Sequence, residues 1–306
     1  MPFFLFYLKS YLFLNSKLKK DFIGNVRKEY KEDNGCTWTM TLLPNGDLVS
    51  EADEFKIKIW DTVDGRVKHT LIGHTDWTRG YILLENNSLV SASDDMTIKI
   101  WDLSKERMML DLKEHTAAVR SIVLLKSGDL VSGSSDKTIK IWDLASGEVK
   151  RTLTGHSKDV WTLLVLSNGD LASGSSDSTI NIWDVDSGTV KRTLTGHEFD
   201  VYTLISLENG DLVSASQDNT IKVWDVEDGV VKQTLTGHSK YVYTLKVLEN
   251  GDLISGSQDG NLKIWNLADG KIRKSFLNID PIYAMVVLEN GDLVIGGHDR
   301  TVRIWD

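Results

Sequence analysis

Serine, histidine and aspartate recur together along this 306-residue chain at a spacing that invites a hydrolase reading. The sets are His74, Ser91 and Asp95; His115, Ser132 and Asp136; His156, Ser173 and Asp177; His197, Ser214 and Asp218; and His238, Ser255 and Asp259. A serine hydrolase needs one exposed nucleophile, a base to take its proton and donors for the oxyanion. Here the constellation occurs five times, each Ser falls inside a strand-like run, and a Trp follows each Asp by six residues. Those residues are Trp101, Trp142, Trp183, Trp224 and Trp265. Hydrogen-bonding capacity favours a structural role: indole N–H only donates, a hydroxyl donates and accepts, and neutral imidazole does one of each. A chain from Trp to Ser, Ser to His and His to Asp satisfies every group, and complete networks of this kind stiffen a fold. These tetrads are expected to be structural, with no catalytic residue among them.

Such groups must be held by one repeated kind of element. GDLVSGSSDKTIKIWD (128–143) returns as GDLASGSSDSTINIWD (169–184). The residues Trp60, Trp101, Trp142, Trp183, Trp224, Trp265 and Trp305 stand 41, 41, 41, 41, 41 and 40 positions apart. A fixed period of this length signals stacked or ring-closed units. In the fourth unit, residues 160–166, 171–175, 179–183 and 189–194 read as strands divided by turn residues. Asn168-Gly169 suits a tight hairpin in which both turn residues take positive φ, and Asn-Gly recurs at residues 45–46, 209–210, 250–251 and 290–291.

A lone four-stranded sheet would expose two apolar faces, and closing the units into a ring covers them. The seventh unit ends after its third strand. Sliding back three periods, 123 residues, carries Val149–Leu153 onto Val26–Tyr30. The missing strand is therefore expected at the N-terminus, with residues 24–306 forming the ring. The units at this junction have lost the tetrad: the first carries Asp33, Ser50, Glu54 and Trp60, the seventh Asn278, Ile295, Asp299 and Trp305. Weaker local stability is expected there.

Composition narrows the function. Forty-four acidic against 35 basic residues give a net charge of −9, which disfavours nucleic-acid binding. A single cysteine, Cys36, excludes an intramolecular disulfide and a thiolate metal cluster, and points to a reducing compartment, the cytoplasm, with the nucleus open. No cofactor is expected. Residues 1–23 form an apolar and basic leader. Its stretch 2–14, PFFLFYLKSYLFL, is shorter than the about 20 apolar residues that span a bilayer. It lacks the marks of a secretory signal. Two readings stand for it: a segment docked on the ring or poorly ordered, or a membrane-surface contact that tethers the chain.

Gly155-His156, Ser173, Asp177 and Trp183-Asp184 resemble the signature of the WD-repeat family, and the resemblance extends over all seven units. It implies an all-β fold, a seven-bladed β-propeller of four-stranded antiparallel blades whose N-terminal strand joins the C-terminal blade. It also implies a platform for assembling other proteins.

In proteins of that family, positions three and five residues after the repeat histidine line the narrow face around the central channel. Here they give Trp38, Trp77, Arg79, Arg120, Asp159, Trp161, Asp200, Tyr202, Tyr241, Tyr243 and Tyr283. Residues preceding the turn aspartate (Asp94, Ser135, Ser176, Gln217, Gln258 and His298) complete the rim. Trp, Tyr and Arg dominate interface hot spots, and here they vary where the repeats otherwise agree. Arg79 and Arg120 would suit an acidic or phosphorylated partner segment. The lysines two residues before each Trp (Lys58, Lys99, Lys140, Lys222, Lys263) read as strand residues with solvated tips. The leading expectation is a non-enzymatic scaffold that binds protein or peptide segments at the narrow face. A membrane-tethered scaffold is one alternative. A channel-mouth enzyme using Asp159, Asp200 and His298 is the other.

Overall fold

The computed structural model describes residues 26–31, 37–277, 279–288, 290–298 and 301–305. Over these the chain forms seven antiparallel sheets of four strands each. In the fourth, the strands are Val160–Val165, Leu171–Ser175, Thr179–Asp184 and Thr189–Thr195, hydrogen-bonded in chain order. The first strands of the sheets pack each on the next around an axis, and Ile282–Val287 packs back on Met40–Leu42. The result is a closed ring of seven blades, each with its first strand innermost.

Alternation along the strands builds the interfaces between blades. Val131, Ile139, Ile141 and Leu153 of blade 3 meet Val160, Leu163, Leu171 and Trp183 of blade 4 in one cluster, and the same arrangement recurs around the ring. Small residues in the second strand permit this approach. A Cβ on Gly174 would lie 2.7 Å from Val201 Cγ1 of the next blade.

The strand Val26–Lys31 pairs antiparallel with Thr301–Trp305 and completes blade 7. The apolar and basic leader expected over residues 1–23 lies outside the described residues, as do Asp33, Asn278 and Asp299. Among the described residues, no helix is long and apolar enough to cross a membrane.

Two expectations are corrected. The Asn-Gly hairpins are not two-residue turns. Leu166 N–H bonds to the Asp170 carbonyl and Gly169 N–H to the Leu166 carbonyl, which defines a three-residue loop. Gly169 has φ +94°, whereas Asn168 does not enter the positive region. The asparagine instead caps the loop with its side chain, accepting from Asp170 N–H at 3.0 Å. The lysines before the tryptophans are not uniformly solvated either. Lys99 is buried and paired with Asp111 at 2.8 Å, and Lys263 is buried near Ser275. Each lies on a central strand, where the neighbouring outer strand covers its stem.

Candidate functional site: tetrads and rim

In each of the five complete tetrads, Trp Nε1 donates to Ser Oγ at 2.7–2.8 Å. Ser Oγ lies 2.7 Å from His Nε2 throughout. His Nδ1 lies 2.6–3.0 Å from Asp Oδ2. The tautomer that donates from Nδ1 satisfies every member. The carboxylate also accepts the backbone N–H following each His, which ties the turn of the second and third strands to the loop entering the blade. All five serines are 0% exposed. A hydroxyl so enclosed, with both nitrogens already upon it, offers no nucleophile to a substrate.

Burial alone would raise the five aspartates. Hydrogen bonds from His and, in four blades, from Thr outweigh it and hold each carboxyl well below its ordinary value of 3.8. Because the folded state resists protonation, the stabilisation is present above pH 3.8 and is lost as pH falls further. Each such group contributes about 1.4 kcal/mol per pH unit in that window, so five acting together give a slope of up to about 7 kcal/mol per unit. Urea midpoints should hold steady near pH 5 and drop steeply between pH 4 and 2.5. A flat profile there would contradict the tetrad electrostatics.

At the junction the network is thinner. Trp60 Nε1 donates to Ser50 at 2.9 Å. Trp305 faces Ile295 in place of serine, and its Nε1 finds no acceptor among the described residues. Trp60 and Trp305 are 8% and 9% exposed, against 0–1% for the other five.

The rim is assembled by backbone geometry. Ser176 N–H donates to the Asp159 carbonyl, Gln217 to Asp200, Gln258 to Tyr241, Asp94 to Trp77 and His298 to Pro281. These bonds set the turn residues beside the residues at the mouth of the inner strands. One residue per blade stands at the same repeat position and is half-buried: Trp38, Arg79, Arg120, Trp161, Tyr202, Tyr243 and Tyr283.

Together these seven form a closed belt. Arg79 stacks over Trp38 at 5.0 Å and Arg120 over Trp161 at 4.5 Å. Arg79 and Arg120 meet through Asp94, whose Oδ2 accepts from Arg79 Nε at 2.9 Å and whose Oδ1 accepts from Arg120 at 2.6 Å. Trp161 contacts Tyr202 at 5.3 Å, Tyr202 contacts Tyr243 at 5.0 Å, and Tyr243 contacts Tyr283 at 5.1 Å. Tyr283 stacks on Trp38 at 4.1 Å, which completes the circuit.

The remaining rim residues flank the belt. Asp200 accepts from Trp161 Nε1 at 3.1 Å and from Ser176 at 2.7 Å. Tyr241 lies 6.3 Å from both Tyr202 and Tyr243. Asp159 acts on Arg120 through its charge. Trp77 stands apart from the belt, edge-on to Phe55 at 5.2 Å. His298 lies 6.4 Å from Tyr283, while Asp159 acts on Arg120 and Asp200 accepts from Trp161 and Ser176.

Two aromatic residues here carry no repeat signal. Phe55 occupies the left-handed position of its turn, φ +60°, and Phe199 is 54% exposed beside Asp200. Their only sequence mark is that other repeats carry small or polar side chains at the second of these positions.

A ring of seven four-stranded blades fastened by Trp-Ser-His-Asp tetrads is the architecture of a WD-repeat propeller. The chain matches the family described as "WD domain, G-beta repeat" at residues 65–102, 107–143, 147–184, 188–225, 229–266 and 271–306, and it belongs to that family. Each match runs from the outer strand of one blade to the third strand of the next, so the first three strands of blade 1 and the strand Val26–Lys31 of blade 7 go unmatched. The crystal structure of the WD40 beta propeller domain of Doa1 is similar, with a TM-score of 0.81 and 26% identity over 93% of this chain and 97% of that one. A search of curated proteins finds no match. WD40 propellers typically serve as protein-interaction scaffolds, and the family is generally non-catalytic.

Proposed function

We propose that this propeller is a non-enzymatic scaffold that holds a protein or peptide segment on the face carrying the belt, the narrow face in its family. The observation that carries this reading is the concentration of sequence difference at one height. Five of the seven blade bodies repeat the same tetrad, while the rim substitutes Trp, Tyr, Arg and Asp. Large aromatic side chains left half-buried at a rim are the usual anchors of an interface.

The acidic or phosphorylated partner suggested by Arg79 and Arg120 has narrower support. Both guanidinium groups share the carboxylate of Asp94, and Asp159 also acts on Arg120, so little positive charge is left over in that sector. Cytoplasmic residence fits the lone cysteine. A membrane tether through residues 2–14 would rest on a segment outside the described residues, and a channel-mouth enzyme on three groups already engaged elsewhere.

Affinity capture should separate the rim from the rest of the surface. Trp77→Ala with Tyr241→Ala is expected to weaken capture of the wild-type partner set by at least about 30-fold, as for the loss of hot-spot anchors. Lys191→Ala, on an outer strand, should leave it intact. An unchanged partner set from the folded rim variant would refute the assignment.

A further inference from the structure

We propose that the tyrosine sector of the rim receives a cationic side chain, a lysine ammonium or arginine guanidinium, of the bound segment. This rests on the reading of the rim as a peptide-binding face. The sector comprises Tyr202, Tyr241 and Tyr243, with the Asp200 carboxylate at its edge.

Three observations converge on a cation. At both ends of the aromatic arc the protein already lays a guanidinium on a ring, Arg79 on Trp38 and Arg120 on Trp161, yet among the described residues no cation contacts the three tyrosines between. The hydroxyls of Tyr202, Tyr241 and Tyr243 make no hydrogen bond with any described residue, although half-buried phenols normally find a partner. Asp200 uses Oδ2 for both of its donors and leaves Oδ1 without one among the described residues. Ring faces, phenol oxygens and a carboxylate oxygen all favour positive charge bearing N–H donors.

The alternatives fit poorly. An apolar side chain would cover the hydroxyls and Asp200 Oδ1 without giving them partners, which costs free energy. An anion would face Asp200, and the nearby guanidinium groups already share Asp94. Burial, then the charge of Asp200, raises the Tyr202 phenol, and burial pushes Tyr243 up to about 12, so both stay neutral donors and acceptors at physiological pH. Lys246 lies three residues further along the inner strand of Tyr243, about 10 Å away. Desolvation pulls its ammonium below the usual range.

The test is selection of a random dodecapeptide library on the full chain, repeated on Asp200→Asn and Tyr243→Ala, with Lys191→Ala as control. Expected is a set of peptides sharing one Lys or Arg, captured by wild type and control. Replacing that Lys by norleucine, or Asp200 by Asn, should weaken a selected peptide about tenfold, within the range of a desolvated cation–π contact with a charged acceptor. Asp200→Asn keeps the side-chain shape, so the test stands even if Tyr243→Ala does not fold. Rim-dependent peptides anchored by acidic or apolar residues would overturn the cation assignment and leave the peptide-binding reading in place. Peptides insensitive to every rim change would overturn both.

Discussion

Removing residues 1–31 should lower the thermal midpoint by about 10 °C or leave the chain unfolded, whereas removing residues 1–25 should shift it by no more than a few degrees. The difference between the two truncations isolates the strand Val26–Lys31, which forms the outer edge of blade 7. Its partners run from Trp305 opposite Val26 to Thr301 opposite Lys31, with an irregularity between Val26 and Lys28. Blade 7 in turn packs on blade 1 through Leu48, Trp60, Leu288, Val294, Val302 and Ile304. Joining the two ends of the ring closes a loop of nearly the whole chain, an entropic cost of about 5 kcal/mol. The terminal ladder, at about 1 kcal/mol per hydrogen bond and somewhat less per cross-strand pair, offsets most of that cost. Losing about 5 kcal/mol would remove much of the 5–15 kcal/mol that typically holds a fold together, and a domain of this size moves about 2 °C per kcal/mol. Calorimetry on both truncations checks it, and equal midpoints would mean that the ring does not depend on this strand.

Replacing Ser173 by Ala should cost about 2–5 kcal/mol, far more than one lost hydroxyl ordinarily does. Ser173 Oγ lies 2.7 Å from Trp183 Nε1 and 2.7 Å from His156 Nε2. A methyl group there leaves two buried nitrogens facing nothing, each worth about 1–3 kcal/mol. In a background of Trp183→Phe, which has no indole N–H, the same change should cost about half as much. The coupling between the two sites, read from denaturant midpoints of the four proteins, is therefore expected at about 1–2 kcal/mol. Additive costs would show that the tetrad does not act as a network.

Much of this architecture is written in the period of the sequence. Trp spacing counts the blades, and the match of Val149–Leu153 to Val26–Tyr30 identifies the strand that pairs with the C-terminus, because each blade must fill the same four strand positions. Hairpin geometry was less legible. Asn-Gly serves both two-residue and three-residue loops, and the choice at Asn168-Gly169 depends on which carbonyl the glycine N–H reaches. The burial of Lys99 and Lys263 is not written in the repeat, because it depends on the outer strand beside each stem. The rim was legible only in part. Repeat register sets Arg79 and Arg120 at one height, but their sharing of Asp94 across two blades is a consequence of how closely inner strands approach. Phe199 is marked only by contrast with the small or polar residues at its repeat position, which lies outside the two offsets of the rim.

Hydroxyl-radical footprinting of the propeller with and without a captured partner segment tests the central claim most directly. The outer strand of blade 2 provides an internal reference, since Met108 and Met109 are 43% and 48% exposed and oxidise readily. The account predicts protection of Trp77, Phe199, Tyr202, Tyr241 and Tyr243 on complex formation, with Met108 and Met109 oxidised as before. Protection of the two methionines with the rim aromatics unchanged would place the partner on the outside of the ring and contradict it.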